Sequence, residues 1–185
     1  MNKIVVTPAC LLFIVMTLLV SCRSQKTEEP AWEDKLQATV ENFGHRNWIL
    51  VVDKAFPALS SKDIEVVSTD ASMATVLKKT LDLTARSSHV KPIVYVDQEF
   101  DFITEGQIPG IDNIRRDLHA SILEFQPRTI AHEEVFTLVT EKSALFKVLV
   151  LKTNEVIPYS SVFIELDCRY WSPEQEKALR DRMTQ

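Results

Sequence analysis

Two hydrophobic periodicities alternate along this chain. Over residues 31–42 apolar side chains recur at helical spacing (Trp32, Leu36, Val40, then Phe43), and Gly44 reads as the stop. Residues 48–52 are an unbroken apolar run rich in branched side chains, which suits a strand buried on both faces. A short strand follows over 64–67. Residues 72–83 return to helical period, with Ser72 as cap and Met73, Val76, Leu77, Thr80 and Leu81 as one stripe. Residues 92–97 are a second buried strand, which ends in an aspartate, and 100–110 is a loop holding two of the three glycines. Helical period resumes over 111–125, a brief strand is expected at 129–131, and a helix at 132–142 with Val135, Phe136 and Val139 inward. Strands are expected at 145–151 and 162–166, and Ser172-Pro173-Glu174 opens a final polar helix with proline in its first turn. Strands alternating with helices predict an α/β fold, a single domain with a largely parallel sheet flanked by helices.

The first 30 residues stand outside this pattern. Residues 1–21 read as a signal peptide: Lys3 is the positive start, residues 4–20 are almost wholly apolar, and the segment closes on Leu19-Val20-Ser21-Cys22. Leu-Val-Ser-Cys resembles the bacterial lipoprotein signal, which implies lipidation at Cys22. An uncleaved anchor is the other reading, on a run slightly short for a span of ~20 residues. Either way the chain is expected to be tethered to a membrane, outside the cytoplasm, at the cell envelope. Residues 22–30 are polar and serve as a tether, and 31–185 form the folded domain.

Composition narrows the function. The formal charge is −5, which does not favour a nucleic-acid partner. Of the three cysteines, Cys10 lies in the signal and Cys22 is the lipidation site. Cys168 is then left without an internal disulfide partner, so the core must hold the domain. The glycines at 44, 106 and 110 give neither a dinucleotide fingerprint nor a phosphate loop. His132-Glu133-Glu134-Val135-Phe136 lacks the second histidine of a zinc-protease helix, and no Cys/His set has zinc-ligand spacing. No serine sits in a Gly-x-Ser-x-Gly elbow. No metal or cofactor is expected.

The chemistry-bearing residues left are His45 before the first buried strand, Asp53 at its carboxyl end, His132, and the turn Pro158-Tyr159-Ser160-Ser161. Each has an ordinary alternative. A loop histidine is often a solvated group, Asp53 could cap its loop, and Tyr159 could be a core edge with its hydroxyl in water. In open α/β sheets, however, ligands bind outside the carboxyl ends of the strands.

Taken together, these motifs resemble the ribose pyranase / fucose mutarotase family. Gly44-His45 leads into an apolar strand whose Val51-Val52-Asp53 ends in the aspartate, followed by Ala55-Phe56-Pro57. Arg128 stands four positions before His132-Glu133, similar to the ribose-type members. Pro158-Tyr159-Ser160-Ser161 before an apolar strand resembles the family's Pro-Tyr-x-Asn, with Ser161 in the asparagine position. The resemblance spans roughly residues 32–167 and is poor over 68–111. It implies an RbsD-like fold and a cofactor-free reaction in which a monosaccharide such as ribose or fucose is opened and reclosed as another anomer or ring form. It implies His45 as the proton donor, with Asp53, His132, Tyr159 and Ser161 holding sugar hydroxyls. A non-catalytic sugar-binding lipoprotein is the alternative, and the shorter reach of the Ser161 hydroxyl favours it.

The spacing adds one expectation of its own. His45 enters the first strand and Asp53 leaves it, so about 20 Å separates them at ~3.3 Å per strand residue. One small sugar does not span that distance within one chain. A ring-like homo-oligomer with sites between subunits would bring His45 of one copy to the Asp53 end of another.

Overall fold

The computed structural model describes residues 31–184, so the signal, lipidation and tether expectations lie outside the described residues. The helices are α1 (Trp32–Asn42), α2 (Met73–Arg86), α3 (Ile111–Ile122), α4 (His132–Ser143) and α5 (Pro173–Met183). The strands are β1 (Trp48–Val52), β2 (Ile64–Ser68), β3 (Val90–Asp97), β4 (Arg128–Ile130), β5 (Val148–Lys152) and β6 (Val162–Cys168). They form one six-stranded sheet in the order β2-β5-β1-β6-β3-β4. Five strands run in one direction, and β6 lies antiparallel between β1 and β3.

The continuous apolar run of β1 is explained by its place. All five residues are buried, because helices cover both faces of the sheet there. Ile49 and Val51 face a layer built by α1, α2 and α3, in which Leu36, Val76, Leu77, Ile111 and Leu118 pack. Trp48, Leu50 and Val52 face the other way, onto Val135 and Val139 of α4 and onto Phe56. The expected stripe of α2 is buried, and Ser72 caps its first turn by accepting from Thr75 N at 3.3 Å. Ser172 and Gln175 close a reciprocal capping box at the start of α5, with Pro173 in the first turn.

One local expectation shifts. The strand expected over 145–151 begins only at Val148. The amides of Leu145 and Phe146 both donate to Lys142 O, which winds the chain on past α4, and Leu145 is left 81% exposed. At the entry to β1, the residue in the left-handed region is Arg46 (φ 72°), not Gly44. Asn47 Oδ1 accepts the Gly44 amide at 3.1 Å, and Arg46 N donates to Leu166 O at 2.7 Å. The turn is therefore fixed by hydrogen bonds rather than by glycine's freedom.

Burial of the central strand predicts its energetic weight. Ile49→Ala removes a fully buried side chain and is expected to cost about 2–5 kcal/mol. Val66→Ala, on edge strand β2 at 41% exposure, is expected to change stability by less than about 0.5 kcal/mol. Urea unfolding midpoints test this, and equal small losses for the two variants would contradict the two-faced core.

Candidate functional site

The direction of β6 decides where the polar residues meet. Because β6 runs against its neighbours, its amino end shares an edge with the carboxyl ends of β1, β3, β4 and β5. Asp53 directly follows β1, Asp97 closes β3, His132 stands two residues beyond β4, and Tyr159 and Ser161 directly precede β6. The β3–β4 register pairs Asp97 with Ile130, which puts His132 beside the aspartate.

Asp53 is tied down on both oxygens. Its Oδ1 accepts the Ala55 amide at 2.8 Å, and its Oδ2 accepts the Ser161 hydroxyl at 3.0 Å. Ser161 Oγ in turn accepts the Asp53 amide at 3.2 Å. Ser161 is 1% exposed. It was expected to hold a sugar hydroxyl, and it does not line the cavity described below. With the hydroxyl spent on Asp53, Ser161 orients the carboxylate.

His132 is held at two places. Its backbone amide, at the start of α4, donates to both Glu99 oxygens at 3.1 and 3.0 Å, so a carboxylate sits where the helix end favours negative charge. Its ring Nδ1 lies 3.1 Å from Asp97 Oδ1. The ring is flanked edge-on by Phe136 and by Tyr159, each 5.0 Å away between centroids. Tyr159 takes a left-handed backbone (φ 60°) to reach this position. Such strain persists only where surrounding contacts fix it. Here Ser160 Oγ donates to Ile157 O at 2.8 Å, and Glu155 Oε1 accepts the amides of Val156 and Ile157. Lys54 N donates to Glu155 O at 2.7 Å, which ties the β1–β2 loop to the β5–β6 loop.

These loops border an open cavity of about 280 Å³. Asp53, His132 and Tyr159 line it together with Phe56, Pro57 and Pro158. It combines an apolar rim with a carboxylate, an imidazole and an aromatic ring, the mixture expected of a small polar-ligand site. Its size suits a monosaccharide. Among the described residues, no lysine or arginine lines it. Among the described residues, no group of acidic, histidine and cysteine side chains is arranged to hold a metal ion.

His45 lies elsewhere. It is exposed at the opposite edge of the sheet, in an open cleft of about 610 Å³ with Arg46, Glu165, Trp171 and Glu176. Within one chain, Asp53, His132 and Tyr159 meet, Ser161 supports them, and His45 does not join them.

Asp97 was not singled out from sequence, although an aspartate closing an apolar strand was its visible signal. The residue is 1% exposed, and among the described residues Oδ2 has no hydrogen-bond partner. Burial pushes its pKa up to about 6. The His132 hydrogen bond and charge pull the other way, and the charges of Glu99 and Asp53 add to the rise. Glu99 had no sequence signal, since nothing in the chain marks which distant amide a loop carboxylate will cap.

This environment predicts a pH dependence of stability. Between the ordinary value of 3.8 and about 6, the folded protein holds a proton at Asp97 that the unfolded chain has lost. The Asp97 contribution to stability therefore falls as pH rises through that window and is flat above it. Asp97→Asn should remove this dependence, so the variant gains on the parent protein between pH 4 and 6.5 in thermal or urea unfolding. A constant difference between the two proteins across that range would contradict the assignment.

A scan against protein-family models and a search of curated proteins find no match. Solved structures do match. The chain is similar to Bacillus subtilis RbsD complexed with D-ribose, with a TM-score of 0.53 and 18% identity over 72% of this chain and 91% of that one. It is also similar to the fucose mutarotase from Streptococcus pneumoniae in complex with L-fucose, with a TM-score of 0.50 and 16% identity over 76% of this chain and 97% of that one. At these identities the likeness establishes the fold: residues 31–184 adopt the RbsD-like α/β architecture, one domain around a largely parallel sheet.

Proposed function

We propose that this protein binds a monosaccharide in the Asp53–His132–Tyr159 cavity and interconverts its anomers or ring forms, as a member of the ribose pyranase / fucose mutarotase family. The observation that carries the reading is the convergence of Asp53, His132 and Tyr159 on one cavity of monosaccharide size. Two proteins of the same fold whose structures hold D-ribose and L-fucose support it.

The reaction needs two proton movements. The anomeric hydroxyl loses its proton while the bond from the anomeric carbon to the ring oxygen breaks, and the ring oxygen gains a proton. The open aldehyde then recloses on its other face or through another hydroxyl. Imidazole titrates close enough to neutrality to serve both steps. A positioned acid or base contributes typically ~10²–10⁴-fold, which is useful for a reaction that already proceeds slowly in water. Asp53, an acceptor held by Ser161 and the Ala55 amide, orients a sugar hydroxyl. His45 is the proton donor, and it reaches the cavity from a second copy of the chain in a ring-like homo-oligomer. The reaction requires no cofactor. We further infer that the chain is lipidated at Cys22 and acts at the cell envelope, on the strength of its Leu-Val-Ser-Cys motif.

Magnetisation-exchange NMR on D-ribose and L-fucose tests the reading. The protein should accelerate exchange between anomers or ring forms, and His45→Ala should lower the rate by roughly 10²-fold or more. Binding without exchange would contradict catalysis, and absence of binding would contradict the site itself. Composite sites make a second prediction. His45→Ala and Asp53→Ala, each inactive alone, should regain part of the activity when unfolded and refolded together. Failure to complement, with both variants folded, would contradict sharing between subunits. Cys22→Ala should abolish incorporation of labelled fatty acid in a bacterial host, and unchanged labelling would remove Cys22 from that role.

A further inference from the structure

The site holds one group that the reaction scheme above leaves unused. Asp97 is buried, with one oxygen 3.1 Å from His132 Nδ1 and the other, among the described residues, without a hydrogen-bond partner. An unpaired buried carboxylate oxygen destabilises a fold, so stability alone does not account for Asp97. The atom it touches is the inner nitrogen of the one imidazole that lines the cavity.

A carboxylate can only accept a hydrogen bond, so beside ionised Asp97 the His132 Nδ1 must carry the proton. In the neutral ring, Nε2 then holds a lone pair. Among the described residues Nε2 has no hydrogen-bond partner and is not among the buried unpaired atoms. We propose that Asp97 is the positioning residue of the site, fixing His132 as the Nδ1–H tautomer so that Nε2 accepts a proton from a ligand hydroxyl.

This assigns His132 the basic role. The anomeric O–H bond breaks, the Nε2–H bond forms, and the electron pair left on oxygen closes the carbonyl as the ring bond opens. His45 supplies the proton to the ring oxygen. The imidazolium formed at His132 faces the Asp97 carboxylate, which offsets its charge; on ring closure the attacking hydroxyl gives its proton back to His45, and His132 returns its proton to the carbonyl oxygen. The charged groups facing Asp97 are His132 from α4, Glu99 from the turn after β3 and Asp53 from the end of β1. Burial first, and then the charges of Glu99 and Asp53, disfavour ionisation of Asp97, so Asp97 gives up its acceptor role as pH falls toward 6.

The catalytic part of the inference rests on the proposed function, while the tautomer part does not. Long-range ¹H–¹⁵N correlation on the full-length protein labelled at histidine reads the tautomer without any sugar. At pH 7.5 His132 should show a protonated Nδ1 and a bare Nε2. Asp97→Asn and Asp97→Ala should mix or invert the two, and Asp97→Glu should restore the parent pattern in part. In exchange NMR, Asp97→Asn should lower kcat by roughly 10²-fold with KM changed less than about threefold. A parent His132 with Nε2 protonated at pH 7.5, whether alone or with Nδ1, would overturn the proposal, as would a tautomer unmoved in every folded Asp97 variant. A tautomer that follows Asp97 in a protein that exchanges no sugar would uphold the positioning role and reject the mutarotase reading.

Discussion

The placement of β6 between β1 and β3 is the constraint on which the site depends. Its backbone pairs antiparallel with both neighbours, from Val51↔Val162 to Trp48↔Glu165 on one side and from Val96↔Val162 to Val90↔Cys168 on the other. Had that strand run parallel, Tyr159 and Ser161 would lie at the far edge with His45. Reversed, it delivers them to the end where Asp53, Asp97 and His132 emerge. The apolar burial of β1, β3 and β6 makes this register costly to change, because a slip of one residue would send Phe163 and Ile164 to the wrong faces.

On that frame two strand-end aspartates have opposite environments. Asp53 has every near donor it needs, from Ala55 and Ser161, and borders the cavity. Asp97 is more deeply buried and poorly satisfied, and among the described residues its single side-chain partner is the ring of His132. One carboxylate is thus well satisfied and fixed at the cavity edge. The other is costly to ionise and is coupled to an imidazole. The strained Tyr159 backbone completes the arrangement by closing the ring of His132 between two aromatic edges.

Much of the fold was legible because burial imposes periodicity locally. The all-apolar β1, the stripe of α2 with its Ser72 cap, and the Ser172-Pro173 start of α5 each follow from a few neighbouring residues. Leu145 shows the limit: an apolar side chain next to a strand pattern was read as strand, while the closing turn of α4 kept it out of the sheet. The gathering of Asp53, His132 and Tyr159 at one cavity was legible only through the family resemblance, since their sequence separations carry no geometry. Asp97 and Ser161 mark what stayed hidden. Their roles depend on the β3–β4 register and on a hydroxyl turning toward Asp53 rather than outward, both tertiary choices that no local pattern encodes.

A crystal structure of the protein soaked with D-ribose or L-fucose shows whether the cavity beside Asp53 and His132 receives the proposed monosaccharide. The expected result is a sugar with one hydroxyl on the Asp53 carboxylate and another within hydrogen-bond distance of His132 Nε2. A sugar bound only in the cleft at the opposite edge, or an empty cavity at saturating sugar, would contradict it.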